Sequence, residues 1–247
     1  VSLTEAKNDP LDFALWKTRK SGEPFSDSPW VPGRPGWHIE CSAMSMSCLG
    51  ESFDIHAGGM DLKFPHHENE IAQSEAATGK QFVNYWMHNG HVEIDSEKMA
   101  KSIGNFFTIR EIISRDSSSR RMGEVIRFMI LTSHYRSPLK FSEGALLKAR
   151  TSLTRLYRVL DKIDDCDVRD QPTHKGEYWK PFHSAMADDF NTVEAISILF
   201  RLARETNRLW DDDQREEALV LGRQLNSLGG ILGLLYQRPR SFLTGLD

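Results

Sequence analysis

The chain has 247 residues, with 31 Lys+Arg against 35 Asp+Glu and a formal net charge of −4. Its 39% hydrophobic content, six Trp and thirteen Phe exclude a disordered chain, and no run approaches the roughly 18 apolar residues of a membrane span. Three cysteines (Cys41, Cys48, Cys166) make no disulfide framework, and the polar start VSLTEAKNDP is no signal peptide, so a reducing compartment is expected, the cytoplasm by default.

Residues 22–36 hold Gly22, Pro24, Pro29, Pro32, Gly33, Pro35 and Gly36 and read as a loop, because proline blocks helix and central strand alike. WHIECSAMSMSCL then reads as a buried helix. FDIHAGG (Phe53–Gly59) reads as a short strand running into a glycine turn. Pro65 suits the first position of the helix that follows, HHENEIAQSEAA, where its missing N–H costs nothing. Phe82–His88 and His91–Ile94 read as extended, and Thr108–Ser114 opens a helical region. From about Gly144 the pattern changes. ALLKARTSLTRLYRVLDKI carries Leu146, Leu153, Leu156, Val159, Leu160 and Ile163 at helical spacing. VEAISILFRLARETNRLW and REEALVLGRQLNSLGGILGLL repeat the amphipathic pattern. The fold class expected is α/β followed by all-α, with a boundary near Ser142: residues 1–142, then a helical bundle over 143–247.

The charge is asymmetric. Between Lys98 and Arg158 stand thirteen Lys/Arg and four acids, a net +9 that leaves −13 elsewhere. Such a belt on an otherwise acidic protein is the footprint of a polyanion partner, or else a set of solvated helix faces. The acidic runs Asp161–Asp170 and Asp211–Asp213 read as a solvated turn and a helix end.

Four constellations could carry chemistry. Lys98-Met99-Ala100-Lys101-Ser102, followed by Ile103-Gly104-Asn105, is a cationic loop able to close over a triphosphate and neutralise a departing pyrophosphate. Alone, a K-x-x-K-S match is an ordinary exposed loop. Cys41 with His66 and Glu70 supplies sulfur, imidazole and carboxylate, three kinds of zinc ligand, and the i,i+4 spacing puts His66 and Glu70 on one helix face. His67 competes with His66, and the spacing does not choose between them. His56-Ala57-Gly58-Gly59-Met60-Asp61 places two glycines at a strand end, where a ligand can approach closely and Asp61 can accept from a ribose hydroxyl or an ammonium; the bland alternative is a tight turn. Trp37-His38 beside Cys41 is either core packing or a pocket wall.

Taken in order, GRPGWHIECSAM (Gly33–Met44), FDIHAGGMDLKFPHHENEIAQSEA (Phe53–Ala76), YWMHNGHVEIDSEKMAKSIGNFFTIRE (Tyr85–Glu111), HYRSPLKFS (His134–Ser142) and DDFNTVEA (Asp188–Ala195) resemble the class I cysteinyl-tRNA synthetase family over nearly the whole chain. The resemblance implies that cysteine attacks the α-phosphate of ATP, giving cysteinyl-adenylate and pyrophosphate, and that the cysteinyl group passes to the 3′ end of tRNA(Cys). It implies a zinc ion, Zn2+, that binds the substrate thiolate and discriminates against serine without editing, with Cys41, His66 and Glu70 as ligands. It also implies ATP with Mg2+ as substrate. Lys98–Ser102 matches the family's KMSKS loop with Ala100 in place of its first Ser, which makes Lys98 and Lys101 catalytic and Lys101 and Ser102, with Gly58 and Gly59, nucleotide-binding. Trp37 and Asp61 match positions lining the amino-acid pocket.

The family's HIGH-type signature and its fourth zinc ligand, a Cys, have no counterpart in the sequence. The expectation is therefore the second half of a class I Rossmann-type catalytic domain plus a helical stem-contact bundle, inactive in cysteine activation by itself. A monomer is the expected state of the intact enzyme, with no membrane contact. The competing readings are the related ligase that joins cysteine to an amino-sugar inositol in mycothiol synthesis and a non-catalytic tRNA- or zinc-binding module.

Overall fold

The computed structural model describes residues 7–94, 97–98, 107–163 and 176–245. The chain divides into two compact units, Val1–Asn89 and Gly90–Asp247.

The first unit opens on an antiparallel ribbon, β1 (Trp16–Thr18) with β2 (Gly33–Pro35). Part of the stretch expected to be loop is thus strand. Pro35 stands opposite Trp16, and in a two-stranded ribbon each strand has an outer edge on which a missing N–H costs no ladder bond. Gly33 is demanded by packing, since a Cβ there would lie 2.2 Å from the Lys17 carbonyl oxygen.

Helix α1 (Trp37–Leu49) forms where expected but is not buried. Ser42 is its one buried residue, while Trp37, Met44 and Leu49 are 56%, 55% and 60% exposed. It lies against α2, and a helix with one packed neighbour buries one stripe of its surface. Strand β3 (Phe53–Gly59) leads through two helical turns, Met60–Leu62 and Lys63–His67, into α2 (Glu68–Thr78) and then β4 (Val83–Asn89). The backbone is extended at Phe64 and turns helical after it, so Pro65 takes the first helical position as expected. Gly79 closes α2 in a left-handed cap at φ 68°. Strands β3 and β4 pair in parallel from Phe53↔Val83 to Gly59↔Asn89, so this is a βαβ unit with α2 as the crossover.

In the second unit β5 (Val92–Ile94) pairs antiparallel with β6 (Glu97–Lys98) and parallel with β7 (Leu139–Phe141). Helix α3 (Ile109–Ile113) starts on a capping box in which Thr108 and Glu111 satisfy each other's backbone N–H. Helices α4 (Ser119–Leu131), α5 (Glu143–Lys162), α6 (Trp179–Ala187), α7 (Thr192–Asp211), α8 (Arg215–Ile231) and α9 (Pro239–Thr244) build the bundle. Ser142 caps α5 with its hydroxyl on the Ala145 N–H. The periodic residues expected to be core are all buried: Leu146, Leu153, Leu156, Val159, Leu160 and Ile163. They meet Phe128 and Met129 of α4 and Ile198, Leu199 and Leu202 of α7 in one apolar cluster.

Several arginines of the basic belt are engaged within the unit. Arg121 is buried and bonds Asp116, which also pairs with Arg150 at 3.0 Å. Arg115 pairs with Glu143, and Arg136 with Asp189. Part of the positive charge therefore serves packing rather than an open face.

A carboxyl is also buried in the bundle core. The Glu124 carboxyl is wholly buried and accepts hydrogen bonds from the Tyr157 hydroxyl (2.8 and 2.9 Å), the Leu235 N–H (2.6 Å) and the Gln237 amide (2.7 Å). Burial outweighs these donors and raises the carboxyl above its ordinary 4.5. The native state then holds this proton more tightly than the unfolded chain, so stability is lost as pH climbs from 4.5 through the raised native value. In urea unfolding followed against pH, the stability of wild type relative to Glu124→Gln is expected to decline across that interval; a gap constant with pH refutes the assignment.

Candidate metal centre

The sulfur, imidazole and carboxylate singled out in the sequence meet in the first unit. The ligand atoms of Cys41, His66 and Glu70 all lie within 4.8 Å of one another. Cys41 comes from the second turn of α1, His66 from the helical turn that enters α2, and Glu70 from the first turn of α2. The i,i+4 spacing sets His66 Nε2 3.7 Å from Glu70 Oε2. A zinc ion bonded at about 2.0–2.3 Å holds tetrahedral ligands roughly 3.3–3.8 Å apart, so this pair already has suitable spacing.

The electrostatics fit a cation. Glu70 has no exposed surface, and its Oε1 is buried without a hydrogen-bond partner. Burial raises its carboxyl pKa, against the pull of the His56 imidazole bonded to Oε2 at 3.0 Å. Burial also raises the Cys41 thiol, as do Glu70 and Glu40, while the Trp37 indole pulls the other way. His66 is lowered by burial and then by His38 and His56. A neutral imidazole with a free lone pair, a thiol and a carboxyl with an unfilled oxygen are the donor set of a zinc site, whose binding displaces the protons that burial holds on the thiol and the carboxyl.

Other rings close around the triad. His38 Nδ1 meets His66 Nδ1 at 2.7 Å, which leaves His66 Nε2 facing Glu70. Trp37 stacks on His66 with ring centres 4.3 Å apart. His67 lies beside the triad as well: Nε2 is 4.0 Å from Glu70 Oε2, and Nδ1 is 2.8 Å from His88 Nε2. Burial, then His56, His88 and His66, push His67 down to about 4. His56, His67 and Glu70 form a second triad that shares Glu70 with the first.

The sequence reading placed His56 in the strand that leads to the glycines, gave it no part in the metal triad, and did not single out His88. Their signal is period two: Trp86 and His88 share a face of β4, and His56 stands in register with Trp86. The two glycines have an internal reason. A Cβ on Gly58 would lie 2.9 Å from the His67 ring, and one on Gly59 would lie 2.5 Å from Asp61 Oδ1. Asp61 thus stands at the carboxyl end of β3, exposed to solvent. Of the lysine loop, Lys98 lies in β6 by its backbone, with its side chain outside the described residues; Lys101, Ser102 and Cys166 also lie outside them. Among the described residues no helix is long and apolar enough to cross a membrane.

The family model described as the tRNA synthetases class I (C) catalytic domain matches residues 1–151, and the DALR domain matches residues 181–237. The cysteine–tRNA ligase of Thioalkalivibrio sulfidiphilus is 58% identical over 246 residues, which cover 99% of this chain and 51% of that protein. Those of Alkalilimnicola ehrlichii and Azotobacter vinelandii are each 56% identical, over 100% and 97% of this chain and 52% and 50% of theirs. The chain thus spans about half the length of the curated relatives it matches. In fold it is similar to the LeuRS chain of an Agrobacterium radiobacter K84 ternary complex with tRNA and LeuAMS, at TM-score 0.57 and 12% identity over 93% of this chain and 35% of that one. With the catalytic-domain match covering more than half its length, the chain belongs to the class I (C) tRNA synthetases.

Proposed function

We propose that this chain carries the zinc centre and pyrophosphate loop of a cysteine–tRNA ligase, which activates L-cysteine with ATP and transfers it to the 3′ end of tRNA(Cys). The observation that carries the reading is the convergence of Cys41, His66 and Glu70, a buried glutamate that keeps one carboxylate oxygen without a partner. The printed names of the relatives at 56–58% identity support the choice of reaction. On this reading residues 1–142 belong to the catalytic nucleotide-binding domain, 143–247 form the stem-contact bundle, and the cytoplasm is the place of work.

Zinc held by Cys41, His66 and Glu70 supplies, when bound, a Lewis-acid position that takes a substrate thiolate and leaves a serine hydroxyl unbound. Trp37 walls the position from one side by its stack on His66. Asp61 accepts a hydrogen bond from the substrate ammonium. The substrate carboxylate then attacks the α-phosphorus of Mg2+-bound ATP, a carboxyl–phosphate bond forms, and the bond to pyrophosphate breaks. Lys98 and Lys101 neutralise the charge that develops on the leaving pyrophosphate. Ala100 removes one hydroxyl from this loop and keeps both ammonium groups.

Two outcomes test the reading. The zinc-loaded chain is expected to bind L-cysteine at least about 10²-fold more tightly than L-serine in calorimetric titration, and Cys41→Ala is expected to abolish both the zinc and the preference. Equal binding of the two amino acids sinks the assignment. In any preparation active in cysteine-dependent ATP–pyrophosphate exchange, Lys101→Ala is expected to lower the rate by about 10²–10³-fold; an unchanged rate removes Lys101 from the chemistry.

A further inference from the structure

Cys41 lies on one helix, and His66 and Glu70 lie at the start of another, so the metal position depends on how α1 is held against α2. A half-buried polar link between these helices is Gln73. Its Nε2 donates to the His38 backbone carbonyl and to the Ser42 hydroxyl, both at 2.5 Å. Those two acceptors flank Cys41 in sequence, and Ser42 has no exposed surface. A carbonyl oxygen can only accept, so the Gln73 amide orientation is fixed and its Oε1 is left buried without a partner. Leaving that oxygen unpaired is costly. A residue placed to hold α1 at that expense has a positional duty. The same anchored residue, His38, meets His66 Nδ1 at 2.7 Å and so sets which nitrogen His66 turns toward Glu70.

We propose that Gln73 is the positioning residue of the metal centre. It fixes Cys41 against His66 and Glu70 through the α1 backbone, and it fixes the His66 ring through His38, without touching the metal itself. The inference rests on the zinc reading of the Cys41–His66–Glu70 triad. It predicts that losing the Gln73 donor loosens the ligand set while leaving all three ligands in the chain, at the 10–100-fold cost in metal affinity usual for outer-shell partners.

The test uses Co2+, whose thiolate charge-transfer band reports Cys41 as a ligand and whose visible bands report coordination geometry. The full 247-residue chain is titrated with Co2+ against a chelator, and unfolding of the metal-free protein is followed in parallel. Gln73→Met keeps the length of the side chain and removes its donor. Ser42→Ala removes one acceptor and keeps the bond to His38. Thr78→Ala is the control, because its hydroxyl bonds the Ser74 carbonyl one turn further along α2 and does not reach α1. The expected result is a 10–100-fold weaker Co2+ affinity and altered visible bands for Gln73→Met, a several-fold loss for Ser42→Ala, and wild-type affinity for Thr78→Ala. Affinity within twofold of wild type in Gln73→Met overturns the proposal. So does an equal loss in Thr78→Ala, which makes the effect one of general stability. Should Gln73→Met fail to fold, Ser42→Ala decides, and unchanged affinity there overturns the proposal too. A wild-type chain that shows no charge-transfer band overturns the zinc reading itself, and does so before any substitution is compared.

Discussion

Burying a carboxylate where water cannot reach it is expensive unless its charge and lone pairs are answered, and the first unit does this at Glu70 with few apolar side chains around it. Among the described residues of that unit, Phe82 and Val83 are the buried apolar side chains. Beside them the buried groups include Ser42, Ser74 and rings that carry nitrogen: His67 packed with His56 and Trp86, and His66 packed with His38 and the half-exposed Trp37. Burial holds His66 and His67 toward their neutral forms, so at 3.7 and 4.0 Å they offer Glu70 dipoles rather than full countercharge. One carboxylate oxygen is answered by His56; the other has no partner. On the proposed reading, a divalent cation beside Cys41 and His66 completes that arrangement and the ring cluster holds it.

The second unit contains the instructive contrast. Glu124 is as deeply buried as Glu70, yet both its oxygens are met by neutral donors from Tyr157, Leu235 and Gln237. Its surroundings are the apolar faces of α4 and α5 together with the chain beyond α8. A carboxylate satisfied by neutral donors ties segments together; one left with an empty oxygen beside neutral imidazoles is, on the proposed reading, prepared for a ligand. Burial alone does not separate the two cases. The count of answered lone pairs does.

What the sequence revealed follows from where periodicity is strong. Helices α5, α7 and α8 bury continuous apolar stripes, so their spacing announces them. Helix α4 carries a comparable apolar stripe in Met122, Val125, Ile126, Phe128 and Met129, but the buried Arg121 and Glu124 stand within it, and each is stabilised by a partner distant in sequence or by a loop residue that no spacing rule names. Helix α1 has the composition of a buried helix but one packed neighbour, and composition does not state how many neighbours a helix will find. The positive belt read as an open polyanion face, yet Asp116 holds both Arg121 and Arg150, a pairing settled in three dimensions. At the site, Cys41, His66 and Glu70 were legible from residue type and helical spacing. The preference for His66 over His67 came from resemblance, and the structure sets both near the same carboxylate.

The rest of the site was illegible because it depends on strand register. Parallel pairing of β3 with β4 puts His56 beside Trp86 and Gly58 beside His88, and a slip of one residue would turn each of these side chains to the opposite face. Register also explains Gly58. The His67 ring comes so close to its backbone that a Cβ would sit 2.9 Å from it, and from there His67 reaches His88 on one side and Glu70 on the other. Gly58, one of the glycine pair that reads as an invitation to a nucleotide, therefore first serves the protein's own imidazole. The absence of a side chain at one strand position allows four elements, β3, β4, the Lys63–His67 turn and α2, to bring their nitrogen and oxygen atoms around one buried charge.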